Sequence, residues 1–171
     1  FRTYLTWINT HEYGIREKNH PNNHGVCWSL QAASFADLVG DEKILQWIRE
    51  QFKSVYVQEM MDESGGFPAE LARTKPYGYS LFVIDAMAGV AQVASTKENN
   101  LWMFQLSDGR GMHRGMEFIV PYIENKSSWP FPHDVMYWNE WPVRHPCLLF
   151  AGLQYQDDHY LNVWKKLEAD P

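Results

Sequence analysis

The sequence predicts an all-α protein, a series of antiparallel helical hairpins, on the evidence of its periodicity and its turn residues. Apolar residues recur at helical spacing from Val26 through Leu167, and the alternation typical of strands never dominates. Glycines and prolines divide this pattern into short segments, which favours antiparallel neighbours. The length of 171 residues fits a single domain, so we expect one helical domain over residues 1–171.

Composition and charge exclude several classes of protein. Lys+Arg number 15 and Asp+Glu 21, giving a net charge of −6, which argues against a nucleic-acid binder. The longest apolar stretch, 81–94, is interrupted by Asp85 and Gln92 and is shorter than a bilayer requires, so no membrane-spanning helix is expected. Aromatic residues make up 15% of the chain, which suits either a Trp-rich core or a groove for sugar rings.

The helical segments start at the first residues, where Phe1, Leu5 and Ile8 already keep helical spacing. A polar loop is expected over 11–25, and further helices over 26–39, 41–56, 79–95, 100–106, 111–124, 147–155 and 158–167. Gly40 suits the position just past a helix end, and Asp41 can cap the helix that follows. These two residues therefore predict the turn of a helical hairpin.

Loops separate these segments where glycine and proline cluster. Residues 62–68 form the clearest break, and Pro76 and Gly78 are expected to interrupt the chain again before the buried helix over 79–95. Residues 125–146 are rich in proline and tryptophan, and a loop of this length is typical of a binding loop. Its tryptophans could stack on sugars or close the rim of the core, and both interpretations stay open for Trp129, Trp138 and Trp141.

A first candidate site is the polar run Asn22, Asn23 and His24, directly ahead of the helix that carries Trp28. These side chains could converge on a ligand, or an asparagine could cap the helix while His24 lies at the surface. The capping interpretation is favoured because asparagine is a leading N-cap residue. A zinc site with His20 is not expected, since a proline breaks the helix that an i, i+4 ligand pair needs.

A second candidate site combines Arg73 with Tyr77 and Tyr79, just before the predicted buried helix. Arginine supplies a forked cation for a carboxylate, and a phenolate is favoured beside such a cation. Alternatively, Arg73 forms a surface pair with Glu70 and the two tyrosines pack below it. The sequence does not decide between these interpretations.

Two smaller features complete the inventory of reactive groups. Glu59, Asp62 and Glu63 could supply the paired acids of a glycoside hydrolase, but a solvated, charged helix end explains them better. Cys27 and Cys147 allow at most one disulfide. We expect neither a metal nor a cofactor.

Several motifs, in order along the chain, resemble the alginate lyase family of polysaccharide lyases. They are NNHG followed by Trp, then SGGFPAELARTKPYGYSLFVIDAM, then SDGRGMHRGMEFIVPYI and a Trp-Pro loop. The resemblance runs from about Trp7 to Trp164 and implies an incomplete (α/α) toroid with a groove for an acidic polysaccharide. It implies as well that the chain lacks an N-terminal part of the toroid and is secreted or periplasmic.

The resemblance also implies roles in β-elimination at a uronic acid. Asn23 and Arg73, helped by His24, would hold the substrate carboxylate, and Tyr79 would donate a proton to the departing O4. In relatives acting on mannuronate this tyrosine is thought to take the C5 proton too, with His24 as base for the opposite epimer. The substrate-binding residues implied are Asn22, Trp28 and Tyr77. Positive charge for a polyanion is expected from Arg73, Lys75, Arg110 and Arg114.

Two further functions compete with a lyase of uronate polymers. A non-catalytic carbohydrate-binding or storage protein could keep the aromatic groove on the same scaffold. An inverting glycosidase would need two carboxyls across a groove, which only the acids over 59–63 and Glu70 could provide. The complete set of Asn23, His24, Arg73 and Tyr79 favours the lyase.

Overall fold

The computed structural model describes residues 1–169, and within this range the regular elements are helical, which confirms the predicted class. The α-helices are α1 (Arg2–Thr10), α2 (Glu12–Lys18), α3 (Asn23–Val39), α4 (Glu42–Gln51), α5 (Pro68–Leu71), α6 (Pro76–Ala94), α7 (Met112–Glu124), α8 (Pro146–Tyr155) and α9 (Asp158–Lys166). A π-helical turn, Phe52–Val57, continues α4, and a 3₁₀ turn, Lys126–Ser128, follows α7. The one strand-like feature in residues 1–169 is an isolated bridge between Gln105 and Gly111.

Three antiparallel hairpins, α3–α4, α6–α7 and α8–α9, form the architecture. Their first helices run in the same direction, because Leu30 of α3 meets Gly89 of α6, and Gln92 of α6 bonds Gln154 of α8. Helices α4, α7 and α9 return along the outside of this row. The N-termini of α3, α6 and α8 therefore share one end of the protein, and that end carries the predicted site residues.

The first hairpin forms as the sequence predicts. Gly40 ends α3 in the left-handed conformation, with φ 72°, where a side chain would be strained. The Asp41 carboxylate caps α4 by accepting a hydrogen bond from the Ile44 backbone N–H at 3.2 Å. The helical face then places Leu45 and Ile48 in the core.

Helix α6 begins at Pro76, so the predicted interruption at Pro76 and Gly78 is wrong. Proline at the first helical position lacks only an N–H that would have had no partner within the helix. The next two N–H groups, of Tyr77 and Gly78, each donate at 2.8 Å to the carboxylate of Asp134. Because Asp134, 57 residues away along the chain from Tyr77, caps these two groups, α6 begins three residues earlier than predicted.

Helix α6 is also long and apolar enough, at 19 residues and a mean hydropathy of 1.2, to cross a membrane by length and composition alone. Neighbouring helices bury 61% of that window inside the protein, as expected of the core helix of a soluble protein. The feature is therefore weak evidence for a membrane span.

Two other sequence expectations need correction. The predicted loop over 11–25 contains helix α2, which His11 caps by accepting a hydrogen bond from Tyr13 N–H. The predicted helix over 100–106 is a turn at 101–103, after which the chain is extended and Gln105 forms the isolated bridge with Gly111. Both cysteines are free thiols, Cys27 half-buried in α3 and Cys147 buried in α8, so no disulfide forms between them.

The segment 125–145 is irregular, as predicted, and is fastened to the core. Trp129 is buried and meets the Tyr77 ring edge-on, so for this tryptophan the core interpretation is correct. Lys126 Nζ donates to the carbonyls of Trp138 and Trp141 at 2.6 and 2.7 Å. The loop therefore has a defined course over the N-terminus of α6.

We predict that Asp134→Ala destabilises the protein by about 1 to 2 kcal/mol, because it removes the acceptor of two N–H groups at the start of α6. The measurement is urea unfolding followed by far-ultraviolet circular dichroism. Asp37→Ala is the matched control, since Asp37 is exposed in the last turn of α3, where a negative charge is unfavourable. Equal stability of the Asp134 variant and the wild type would contradict the capping role.

Candidate active site

The candidate active site lies at the end of the protein where α3, α6 and α8 begin. The partial positive charge at each of these helix starts is already met by a carboxylate, of Glu70 at α3, Asp134 at α6 and Asp85 at α8. The polar run before α3 and the segment between α5 and α6 meet here, although about 50 residues of chain separate them.

Glu70 joins the two segments. Its side chain is fully buried, and its Oε1 accepts the Asn23 backbone N–H at 2.6 Å. Its Oε2 accepts both Asn23 Nδ2, at 2.9 Å, and Arg73 Nη1, at 3.3 Å. Asn23 and Arg73 thus share one carboxylate oxygen. The Arg73–Glu70 pair of the alternative interpretation is therefore present, but it is not a surface pair, because the carboxylate has no exposed surface.

Tyr79 lies on the other side of Arg73. The guanidinium carbon is 3.6 Å from the centre of the Tyr79 ring, a close cation–π contact. Tyr79 is half-buried in the second turn of α6, and its ring faces a cavity. Asn23, Arg73 and Tyr79 therefore form one connected group around Glu70.

His24 and Asn22 have different surroundings. The Asn22 side chain accepts the His24 backbone N–H at 3.0 Å, so Asn22 is the N-cap of α3, as the capping interpretation has it. His24 is exposed, stacks on His20 and pairs through Nδ1 with Glu17 at 2.7 Å. Its imidazole faces the same cavity as Asn23.

Two cavities meet at the half-exposed ring of Phe82. The first, of about 330 Å³, is lined by Asn23, His24 and Trp28 among others. Trp28 exposes only 4% of its surface and donates its indole N–H to the Ile8 carbonyl, so its ring is held in place in the wall of this cavity. The second cavity, of about 500 Å³, contains the Tyr79 ring. Together they form a groove across the shared end of the helices.

Tyr77 does not line the groove. It has no exposed surface, and its hydroxyl donates to the Tyr122 carbonyl at 3.1 Å within an aromatic cluster. Burial raises the pKa of Tyr77 above its ordinary value, and the nearby Asp134 charge adds to this effect. The prediction of a groove wall at Tyr77 is therefore wrong in this conformation.

Only part of the expected positive charge is at the groove. Arg110 pairs with Asp108 and donates to the Gln58 and Met61 carbonyls, and Arg114 pairs with Glu117 in α7. Both arginines therefore serve local contacts away from the groove. The cations near the Tyr79 ring are the two others that were expected, Arg73 and Lys75, whereas the Arg144 guanidinium stacks on Trp164 and donates to the Leu167 carbonyl.

The other acids and metal-ligating groups form no competing site. Glu59 and Glu63 are exposed, and Asp62 accepts the N–H groups of Ser64 and Gly66 in a tight turn, so the solvated interpretation of these acids holds. Within residues 1–169 no group of three or more His, Cys, Asp or Glu side chains could hold a metal ion.

Sequence reasoning did not assign a role to a buried pair in the second cavity. His145 Nδ1 lies 2.7 Å from Asp85 Oδ2, and Asp85 Oδ1 accepts the Cys147 backbone N–H at 3.0 Å. The pair joins α6 to the start of α8. Its only sequence signal was the acidic residue at position 85 inside an otherwise apolar helix.

We predict that Glu70→Gln lowers the free energy of unfolding by about 3 kcal/mol, because the new amide nitrogen opposes donors of Asn23 or Arg73 in a buried position. Chemical unfolding measures the change. Glu50→Gln is the matched control, since Glu50 is exposed and its pair with Lys53 should contribute no more than about 1 kcal/mol. Equal losses in the two variants would contradict the central role of Glu70.

Cys27 provides a reporter of the Glu70 charge. Burial raises the pKa of the Cys27 thiol above its ordinary value, and the negative charge of Glu70 raises it further. Alkylation by iodoacetamide should therefore need a higher pH than for a free cysteine. In Glu70→Gln, studied below its unfolding transition, the midpoint of the rate–pH curve should move to lower pH. Cys27→Ser is the control for alkylation of Cys147, which is buried and should not react. If the midpoint of the rate–pH curve were the same in Glu70→Gln and in the wild type, the Glu70 charge would have no effect on Cys27.

Comparison with known proteins agrees with this arrangement. A family model described as alginate lyase matches residues 1–129. The chain is similar to the crystal structure of an alginate lyase from Bacteroides ovatus, with a TM-score of 0.83, 23% identity, and coverage of 99% of this chain and 45% of that one. It is also similar to alginate lyase A1-III from Sphingomonas species A1, with a TM-score of 0.62, 19% identity, and coverage of 90% and 45%.

Comparison with curated protein sequences gave no match. The two structural similarities concern the fold, and the chain spans 45% of the length of each of those enzymes. The helical hairpins described above therefore correspond to part of a helical toroid. Since the family model covers more than half of the sequence, the chain belongs to the alginate lyase family.

Proposed function

We propose that this protein is a polysaccharide lyase that cleaves a uronate-containing, alginate-like polysaccharide by β-elimination. The observation that carries the proposal is the contact of Asn23 and Arg73 with one oxygen of Glu70, with Arg73 stacked on Tyr79. Membership of the alginate lyase family supports the same conclusion. Asn23 and Tyr79 line the two cavities that form the groove at one end of the helices.

Asn23 and Arg73 would bind the carboxylate of the uronate that loses its C5 proton. That proton is difficult to remove while the adjacent carboxylate keeps its charge, so donors fixed around the carboxylate stabilise the enolate-like intermediate. Glu70 takes one N–H from each side chain, and the second amide N–H and the other guanidinium N–H groups are left for the substrate. Their positions are set before the substrate binds, which lowers the cost of reorganisation.

Tyr79 would transfer the proton to the leaving group. Breaking the C5–H bond supplies the electrons of the new C4=C5 double bond, the C4–O4 bond breaks, and O4 accepts a proton from the Tyr79 hydroxyl. For one epimer the Tyr79 phenolate would first take the C5 proton, and for the other His24 would take it from the first cavity. The elimination breaks the C5–H and C4–O4 bonds, forms the C4=C5 double bond and involves no net oxidation or reduction, so the scheme uses no redox cofactor. Because polymeric uronates occur outside cells, we place the protein in a secreted or periplasmic location.

We predict that Tyr79→Phe lowers turnover by about 10²- to 10⁴-fold, the usual effect of losing a general acid or base, with little change in substrate affinity. The assay is the rise in ultraviolet absorbance of the unsaturated product on a panel of uronate polymers. Tyr122→Phe is the matched control, since Tyr122 lies in α7, outside both cavities.

The assay also separates the competing functions. A lyase produces the absorbance, a glycoside hydrolase produces reducing ends without it, and a carbohydrate-binding protein produces neither. If Tyr79→Phe kept the full activity of the wild type, the assignment of Tyr79 as proton donor would be wrong.

A further inference from the structure

A third cavity lies beside the start of α7, and the proposed reaction does not use it. Its volume is about 380 Å³, and none of its lining residues lines either cavity of the groove. Its walls come from the segment 102–111, from the first turns of α7 and from Tyr155 of α8. Several of these residues belong to the motif SDGRGMHRGMEFIVPYI, which contributes nothing to the lining of the groove.

Two buried donors at this cavity have no hydrogen-bond partner. Among the buried side-chain nitrogen and oxygen atoms of residues 1–169, Trp102 Nε1 and Arg114 Nε are the two that form no hydrogen bond, and both residues line the third cavity. Trp102 exposes only 1% of its surface. Folded proteins pair nearly all such groups, because a buried donor without a partner is destabilising. Two of them at one cavity point to a ligand that supplies acceptor oxygens.

Arg114 keeps one edge of its guanidinium free of the neighbouring acid. Its Nη1 pairs with Glu117 Oε2 at 3.2 Å, on the side of the group away from Nε. Its Nη2 lies next to Gly109, where an added Cβ would be 3.3 Å away and where the φ of 88° favours glycine. The edge formed by Nε and Nη2 matches the two oxygens of a carboxylate.

The start of α7 adds to the attraction for a negative charge. Unlike the starts of α3, α6 and α8, it has no acidic residue in its first turn and no capping hydrogen bond from the side chain of its N-cap, Gly111. The positive end of this helix dipole therefore acts in the same direction as the Arg114 cation. The dipole alone would not define a site, but here it adds to the free edge of an arginine.

The remaining walls suit a sugar ring better than a simple anion. Trp102, Phe104 and Tyr155 supply aromatic surface, and Gln105 supplies an amide that can bond hydroxyl groups. The Tyr155 hydroxyl donates to the Trp102 carbonyl at 2.9 Å, and the two rings meet edge-on with their centres 5.8 Å apart. These contacts hold two of the walls in place relative to each other.

We propose that the third cavity binds a single uronate sugar, with the carboxylate on the Nε and Nη2 edge of Arg114 and a hydroxyl or ring oxygen accepting the Trp102 indole N–H. The choice of a uronate rests on the proposed function, because uronate sugars are what the proposed reaction releases. A sugar bound here leaves the groove open, since no residue lines both the groove and this cavity.

The test follows the Trp102 indole N–H by proton–nitrogen correlation NMR during titration with mannuronate and, separately, with neutral methyl mannoside. Trp102→Phe identifies the peak. Mannuronate should move this peak downfield in a saturable manner, because the N–H gains an acceptor, and the mannoside should not. Arg114→Gln should weaken the binding of mannuronate by about tenfold or more, the usual effect of losing a charge-assisted hydrogen bond. Unchanged peaks of the other tryptophans would show that the variant is folded.

Arg16→Gln is the matched control, since Arg16 is exposed in α2 and lines none of the three cavities. The site would be overturned by the absence of a saturable shift with mannuronate, by an equal shift with the mannoside, or by equal affinities of the Arg114 and Arg16 variants.

Absorbance assays on the wild type separate this proposal from the proposed function. A response of the Trp102 peak without unsaturated product from any uronate polymer would remove the lyase and keep the site. Product formation without a response of the Trp102 peak would do the reverse. Binding of mannuronate in the groove would instead move the indole peak of Trp28, which lines the first cavity.

Discussion

The buried carboxylate of Glu70 is the contact on which the candidate site depends. A carboxylate without exposed surface is tolerated only when donors surround it, and here the donors are the backbone and side chain of Asn23 and the guanidinium of Arg73. The two hydrogen bonds from Asn23 fasten the start of α3 to α5, and the third holds Arg73 in the segment that follows α5. The contact that makes Glu70 tolerable in the core therefore also sets the positions of the two side chains assigned to the substrate carboxylate.

In the proposed scheme an acidic protein has to bind a polyanionic polysaccharide. The net charge is −6, which over the whole surface repels such a substrate. The N–H groups at the starts of α3, α6 and α8 are already paired with carboxylates, so positive charge at the groove comes from Arg73 and Lys75, which lie 3.6 and 5.1 Å from the centre of the Tyr79 ring. Two of the expected cations, Arg110 and Arg114, are instead engaged with acids and carbonyls elsewhere. Attraction therefore comes from a local concentration of positive charge.

The features that were predicted correctly are those that depend on residues close together in the sequence. Gly40, Asp41 and the Asn22 cap follow from local rules, and all were found as expected. The start of α6 could not be predicted, because the carboxylate that caps it, Asp134, lies 57 residues away. Glu70 was misjudged for a similar reason. Its i, i+3 relation to Arg73 is visible in the sequence, but its burial follows from contacts with α3, 47 residues earlier.

Phe82 relates the two cavities to the order of sugars along a polymer. Tyr79 and Phe82 are three residues apart and share a face of α6, so a chain that crosses the Phe82 ring must pass Tyr79. In the proposed scheme one uronate places its carboxylate at Asn23 and Arg73, while O4 meets the Tyr79 hydroxyl. Asn23 lines the first cavity and Tyr79 the second, so the proposed scheme places the bond that is cleaved where the two cavities meet at Phe82.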